Sequence, residues 1–150
     1  MELEKLINED IKATMIARDA KKLEALRAIK AALLIEKTKE GGTGEIPETI
    51  ELQLLQKLVK QRKESAEIYK GAGRQDLADK ELYDAAIIEK YLPQQLPEEK
   101  VREIIQRIIS ETGSASMKEM GKIMGIANKE LAGKADNKLI SSIVKEFLSK

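Results

Sequence analysis

Neither cysteine nor histidine occurs in the 150 residues. Without cysteine there are no disulfides, no thiolate nucleophile and no cysteine metal site. Without histidine the commonest general base, the commonest transition-metal ligand and any serine–histidine arrangement are gone. Tryptophan is absent and aromatic residues make up only 3% of the chain, so stacking platforms for unpaired bases are poorly supplied. The longest apolar run, Ala31–Ile35, is far short of the roughly 20 residues a membrane helix needs. The opening MELEKLINED is charged from its second residue and lacks the apolar stretch of a secretory signal. The expectation is a soluble cytoplasmic protein with no membrane partner, no cofactor and no metal.

What is present points to helices. Alanine, leucine, isoleucine, lysine and glutamate dominate, and charged residues reach 35%. A chain of this length buries of order 70% of its unfolded surface, in one domain or two small ones. The formal net charge is +1, but its distribution is uneven: residues 1–93 carry net −1 and residues 113–150 net +3.

Apolar residues recur at helical spacing along most of the chain. Leu3, Leu6, Ile7, Ile11 and Met15 predict a first helix ending near Arg18. Leu23, Leu26, Ile29, Leu33 and Leu34 predict a second, from about Lys21 to Lys39. GGTGEIPE, residues 41–48, reads as a loop. A third helix follows Pro47 on Ile50, Leu54, Leu55, Leu58, Val59 and Tyr69, with Gly71 and Gly73 closing it. A fourth carries Leu77, Leu82, Ala85, Ala86, Ile88 and Leu92. Pro93 and Pro97 then bracket the best candidate boundary. Pro97-Glu-Glu opens a fifth helix, the acids favouring the positive end of its dipole, and Val101, Ile104, Ile105, Ile108 and Ile109 carry it to Gly113. Ser116 and Glu119 have capping-box spacing before a sixth helix on Met117, Met120, Ile123 and Met124. Gly133 stops that run, and Asp136 caps a seventh on Leu139, Ile140, Ile143, Val144, Phe147 and Leu148. The fold class is therefore all-α, with a four-helix part over 1–93 and a three-helix part over 97–150.

Candidate chemistry is sparse. The acid pairs Glu9-Asp10, Glu98-Glu99 and Asp76 with Asp79 read as helix-start acids and solvated faces. Ser65, Ser141 and Ser142 lack an identifiable base, which a serine nucleophile needs. Lys60–Glu64 and Lys63–Glu67 read as four-apart ion pairs on a helix surface. No catalytic residue is assigned.

The carboxy-terminal stretch GSASMKEMGKIMGIANKELAGKADNKLISSIVKEFLSK stands apart. Glycines inside a helical pattern cost about 1 kcal/mol each against alanine. Gly121 and Gly125, four apart, share a helix face. Bare backbone there admits a neighbouring helix, the favoured reading, or a nucleic-acid backbone. The stripe of Met117, Met120, Ile123, Met124 and Leu131 reads as core. Lys118, Lys122, Lys129, Lys134 and Lys138 are candidates for phosphate contact, with free backbone donors expected at the start of the last helix around Asp136, Asn137 and Lys138.

The strings KQRKESAEIYKGAGRQDLADKEL (60–82), IIEKYLPQQLPEE (87–99) and GKIMGIANKELAGKADNKLISSIVKEFL (121–148) resemble the YqeY family. The match begins at IARDAKKLEALRAIKAALL (16–34), so it covers nearly the whole chain. The carboxy-terminal part is also similar to the tail domain of the B subunit of glutamine-dependent aspartyl/glutamyl-tRNA amidotransferase. In that subunit the helical tail touches the elbow of the transfer RNA while chemistry occurs elsewhere. The resemblance implies an all-α, two-domain fold and transfer-RNA association through a GatB/YqeY-like tail. It carries over Gly121, Gly125, Gly133, Lys134, Ala135 and Asn137, with the neighbouring Lys118, Lys122, Lys129 and Lys138. It also brings the label of a carbon–nitrogen ligase with glutamine as amido-N-donor. This chain lacks the catalytic cradle and the zinc- and ATP-handling parts behind that label. Three functions follow as expectations: a non-catalytic transfer-RNA-binding module, an accessory to a transfer-RNA amidotransferase, or an adaptor for another protein partner.

Overall fold

The computed structural model describes residues 3–39, 45–114 and 116–149. Among these, seven α-helices and no strand are found: α1 Leu3–Ala17, α2 Ala20–Lys39, α3 Glu48–Gly71, α4 Gln75–Glu89, α5 Glu98–Thr112, α6 Met120–Glu130 and α7 Asn137–Leu148. Two compact units share them, Met1–Leu92 and Pro93–Lys150. Of the expected loop at 41–48, residues 41–44 lie outside the described residues, 45–47 are non-helical and Glu48 already begins α3.

In the first unit α1 and α2 form a tight hairpin. Arg18 adopts a left-handed conformation (φ 56°), and the Asp19 carboxylate accepts the Lys22 N–H at 3.2 Å, capping the start of α2. The apolar side of α1 is narrower than its periodicity predicts: Leu3, Ile7 and Thr14 are buried, while Leu6 and Met15 face solvent. On α2 Leu26, Ile29 and Leu33 go into the core, and Leu34 and Ile35 stay exposed. A two-helix layer covers only part of an all-round apolar helix.

The helices α3 and α4 pair along their length. Gly73, at φ 74°, takes the left-handed turn between them, a conformation that favours glycine. Leu55, Val59, Ala85, Ile87 and Ile88 join Leu3, Ile7, Leu26 and Ile29 in one core. Arg62 reaches Glu81 at 3.2 Å and the buried Asp84 at 3.7 Å. The expected Lys63–Glu67 pair is replaced by Lys63–Glu89 at 2.9 Å, and Glu67 pairs with Lys70. No Lys60–Glu64 pair is present among the described residues. For Lys63 the facing helix thus offers a closer acid than its own helix does. Tyr91, half-buried after α4, donates its hydroxyl hydrogen to Asp10 of α1.

In the second unit Val101, Ile105 and Ile108 of α5 meet Ile123 and Ala127 of α6 and Ile140, Ile143, Val144 and Leu148 of α7. Burying each such leucine or isoleucine contributes roughly 1.5–3 kcal/mol. Gly113 ends α5 in a left-handed conformation (φ 69°). The expected Ser116–Glu119 capping box does not form. Glu119 N–H, which the Ser116 hydroxyl would have taken, bonds the Ser116 carbonyl at 3.0 Å. Met117–Glu119 winds instead into a single 3-10 turn ahead of α6, with Met117 exposed rather than in the core. Asp136 does cap α7, accepting the Lys138 N–H at 3.1 Å.

Tyr91 supplies a pH test of the first unit. Burial and its bond to Asp10 push the phenol well above its usual range. In the unfolded chain the same phenol ionises near pH 10. Its contribution is therefore fully present below about pH 10 and is lost as pH rises beyond it. Tyr91→Phe is expected to cost about 1 kcal/mol at neutral pH, and urea unfolding is expected to show that difference shrinking above about pH 10.

Candidate nucleic-acid interface

One side of α6 faces the core and fixes what its other side presents. Ile123 and Ala127 are fully buried, and Met120 and Met124 pack partly against the same core. At about 100° per residue, Gly121, Gly125, Lys129 and Lys122 fall within a stripe roughly 100° wide, on the opposite side of the helix. All four are exposed. Lys118, in the 3-10 turn just ahead, is exposed too.

The two glycines are not packing glycines. A methyl group added at either Gly121 or Gly125 would meet nothing within 4 Å, so the expected neighbouring helix is not there. The core side of α6 already carries the contacts to α5 and α7, which leaves the glycine side to solvent. Their bare backbone therefore forms a low, open floor between Lys118, Lys122 and Lys129.

Beyond α6 the chain turns through Gly133, at φ 73°. Gly133 is buried, and the Gln95 side-chain amide donates to its carbonyl. Leu96 N–H donates to the Lys134 carbonyl at 2.9 Å, and Ala135 is buried. Gly133 and Ala135 shape this loop from inside and offer no surface. Lys134, Asn137 and Lys138 are exposed on it. The expected free donors at the start of α7 are reduced, because Asp136 occupies the Lys138 N–H and places a carboxylate there. That end of α7 does not favour a phosphate; the side chains of Lys134 and Lys138 are what it presents.

Charge is the clearer feature. Arg102 pairs with Glu98 at 3.6 Å and Glu146 at 3.0 Å. Lys100 pairs with Glu103 at 3.4 Å. Arg107 pairs with Glu111 and with Glu130. The unit's acids are thus largely consumed by α5, and Asp136 by its own helix. Among the described residues no ion pair involves Lys118, Lys122, Lys129, Lys134 or Lys138. Five exposed lysines thus stand outside the unit's ion pairs.

Little else in this unit is equipped for chemistry. The Ser114 hydroxyl meets the Thr112 hydroxyl at 3.0 Å, and the Ser149 hydroxyl donates to the Lys145 carbonyl at 2.6 Å. Neither touches a base. Among the described residues no acids gather to hold a metal ion, and no helix is long and apolar enough to cross a membrane. The carboxylates that burial pushes above their usual range, Asp84 and Glu51, both lie in the first unit. Asp84 faces Arg62 as part of the α3–α4 pairing. Glu51 was missed in the sequence, although its place four residues before Leu55 and eight before Val59 puts an acid in register with the core stripe of α3.

The sequence profile described as Yqey-like protein matches residues 4–148. A curated relative, altered inheritance of mitochondria protein 41, mitochondrial, of Meyerozyma guilliermondii, is 30% identical over 126 residues. That stretch takes in 79% of this chain and 65% of the relative, so the chain spans just under two thirds of the relative's length. The chain belongs to the YqeY family.

The open glycines make a stability prediction. Gly125 lies inside α6 with nothing over it, so Gly125→Ala is expected to stabilise the chain by about 0.5–1 kcal/mol, read as a higher urea midpoint. A loss of stability would mean that the position is crowded after all.

Proposed function

We propose that the carboxy-terminal part, 97–150, is a non-catalytic GatB/YqeY-like binding module that grips structured RNA, transfer RNA foremost, by shape and phosphate charge. One observation carries this reading: Lys118, Lys122 and Lys129 stand exposed and outside any ion pair along a helix face floored by two open glycines, with Lys134 and Lys138 likewise exposed and unpaired in the stretch that follows. Lysines supply the sequence-independent attraction that dominates nucleic-acid affinity. Bare backbone at Gly121 and Gly125 lets a phosphate backbone come close without meeting a side chain. The shortage of aromatics fits a partner read by form and backbone rather than by stacked single-stranded bases. Family membership and the likeness of 121–148 to the amidotransferase tail support transfer RNA as the form in question. The first unit, on this reading, presents the module or docks a partner protein, and the protein works in the cytoplasm.

A second reading is favoured by the same likeness: the chain serves as an accessory to amide transfer from glutamine on charged transfer RNA, with the chemistry done by a separate amidotransferase. Mixing the purified chain with that enzyme, charged transfer RNA and labelled glutamine separates the two readings. A raised rate of product formation supports the accessory role, and an unchanged rate leaves RNA binding alone.

Filter binding of transfer RNA across a salt series tests the first reading. Affinity is expected to fall with a log–log slope of roughly −0.7 to −0.9 per phosphate neutralised. Replacing Lys118, Lys122 and Lys129 together by glutamine is expected to flatten that slope by about 2–3 and weaken binding at low salt. Salt-independent retention, or no retention, contradicts the proposal.

A further inference from the structure

The segment Pro93-Gln-Gln-Leu-Pro97 does more than join α4 to α5. Pro93 opens the second unit, and Pro97 precedes α5, its carbonyl accepting the Lys100 N–H at 3.0 Å. All five residues are non-helical. A proline fixes its own φ and restricts the residue before it. A short segment with a proline at each end therefore has little conformational freedom to lose. Leu96 packs partly against the core of the second unit, which holds the segment down.

Two donors of this strap reach the loop after α6. Gln95 Nε2 carries two hydrogens: one goes to the Pro93 carbonyl at 3.2 Å and the other to the Gly133 carbonyl. The Leu96 N–H donates to the next carbonyl, that of Lys134, at 2.9 Å. Gly133 is buried, so its carbonyl needs a partner within the protein. The Lys134 N–H in turn donates to the Leu131 carbonyl at 2.9 Å. Both peptide groups that flank the Lys134 Cα are therefore fastened, and with them the direction in which its side chain leaves the backbone. Leu131 and Ala135 on either side are buried, while Lys134 itself is exposed.

We propose that Gln95 is a positioning residue for RNA binding: by holding the Gly133 carbonyl it fixes where Lys134 is presented to a phosphate. The proposal rests on the RNA reading of 97–150. A lysine on an unfastened loop has to order its backbone on binding, and that ordering lowers affinity. Gln95 acts without touching RNA, and its effect runs through Lys134.

A double-mutant cycle on the full chain, read by filter binding of transfer RNA, tests it. Lys134→Gln is expected to weaken binding and to flatten the log–log salt slope by roughly 0.7–0.9. Gln95→Leu, which has no side-chain donor, is expected to weaken binding roughly three- to tenfold. The combination decides. In the chain carrying Lys134→Gln, adding Gln95→Leu is expected to change affinity no further, whereas with Lys118→Gln the two losses multiply. A general structural effect of Gln95 would multiply in both. Circular dichroism reports whether each variant folds, and Gln95→Met, similar in size and also without a donor, takes its place in the cycle if Gln95→Leu does not. The proposal is overturned by unchanged affinity on replacing Gln95, by an undiminished effect of Gln95→Leu beside Lys134→Gln, by no effect of Lys134→Gln, or by failure of both Gln95 variants to fold. In each of these cases salt-dependent binding by the unaltered chain leaves the RNA reading standing. If the unaltered chain does not bind, that reading falls and this one with it.

Discussion

Burial of Ile123 and Ala127 of α6 against α5 and α7 is the constraint on which the proposed binding surface depends. A helix with one side committed to a core has no freedom over which residues its other side presents. Turning Ile123 inward turns Gly121, Gly125, Lys122 and Lys129 outward, with no helix left to cover them. The flat, positively charged stripe is thus a consequence of packing, and the same contacts that hold the unit together hold the stripe in place. A change that weakened the Ile123 contact would blur the stripe before it altered any lysine.

Electrostatics sharpens what packing begins. A unit whose acids and bases simply alternated would show a neutral surface. Here Arg102 and Arg107 of α5 take up Glu98, Glu111, Glu130 and Glu146, and Asp136 is spent on its own helix. Exposed ion pairs of this kind contribute little to stability. Their larger effect is to sort charge, leaving the lysines of α6 and the following loop outside any ion pair among the described residues. On the proposed reading, attraction for a polyanion then arises in a chain whose formal net charge is only +1. Net charge alone is a poor guide to such a surface; the local pairing decides it.

Much of this was legible in the sequence, and the failures have definite causes. Helical spacing of apolar residues predicts all seven helices, and Asp136 is identifiable as a cap because nothing else competes for the Lys138 N–H. Spacing alone could not tell which apolar residues of α1 and α2 a two-helix layer would leave uncovered, so Leu6, Met15 and Leu34 read as core. The Ser116–Glu119 box failed because a backbone carbonyl three residues back took the same donor. Gly121 and Gly125 were recognisable as unusual, but whether another helix lay over them depended on tertiary arrangement. Gly133 and Ala135 looked like surface residues of a glycine-lysine loop, yet the Gln95–Leu96 stretch fastens that loop from inside. Glu51 was hidden by its ordinary residue type, and only its register with Leu55 and Val59 betrays it.

The central claim is that the exposed stripe of α6, and the lysines of the loop after it, meet the phosphates of a structured RNA. Lysine acylation footprinting by mass spectrometry, with and without transfer RNA at low salt, tests it most directly. The account predicts strong protection of Lys118, Lys122, Lys129, Lys134 and Lys138, with Lys63 and Lys80, paired in the first unit, unchanged. Protection confined to the first unit, or uniform labelling of every lysine with RNA bound, would contradict it.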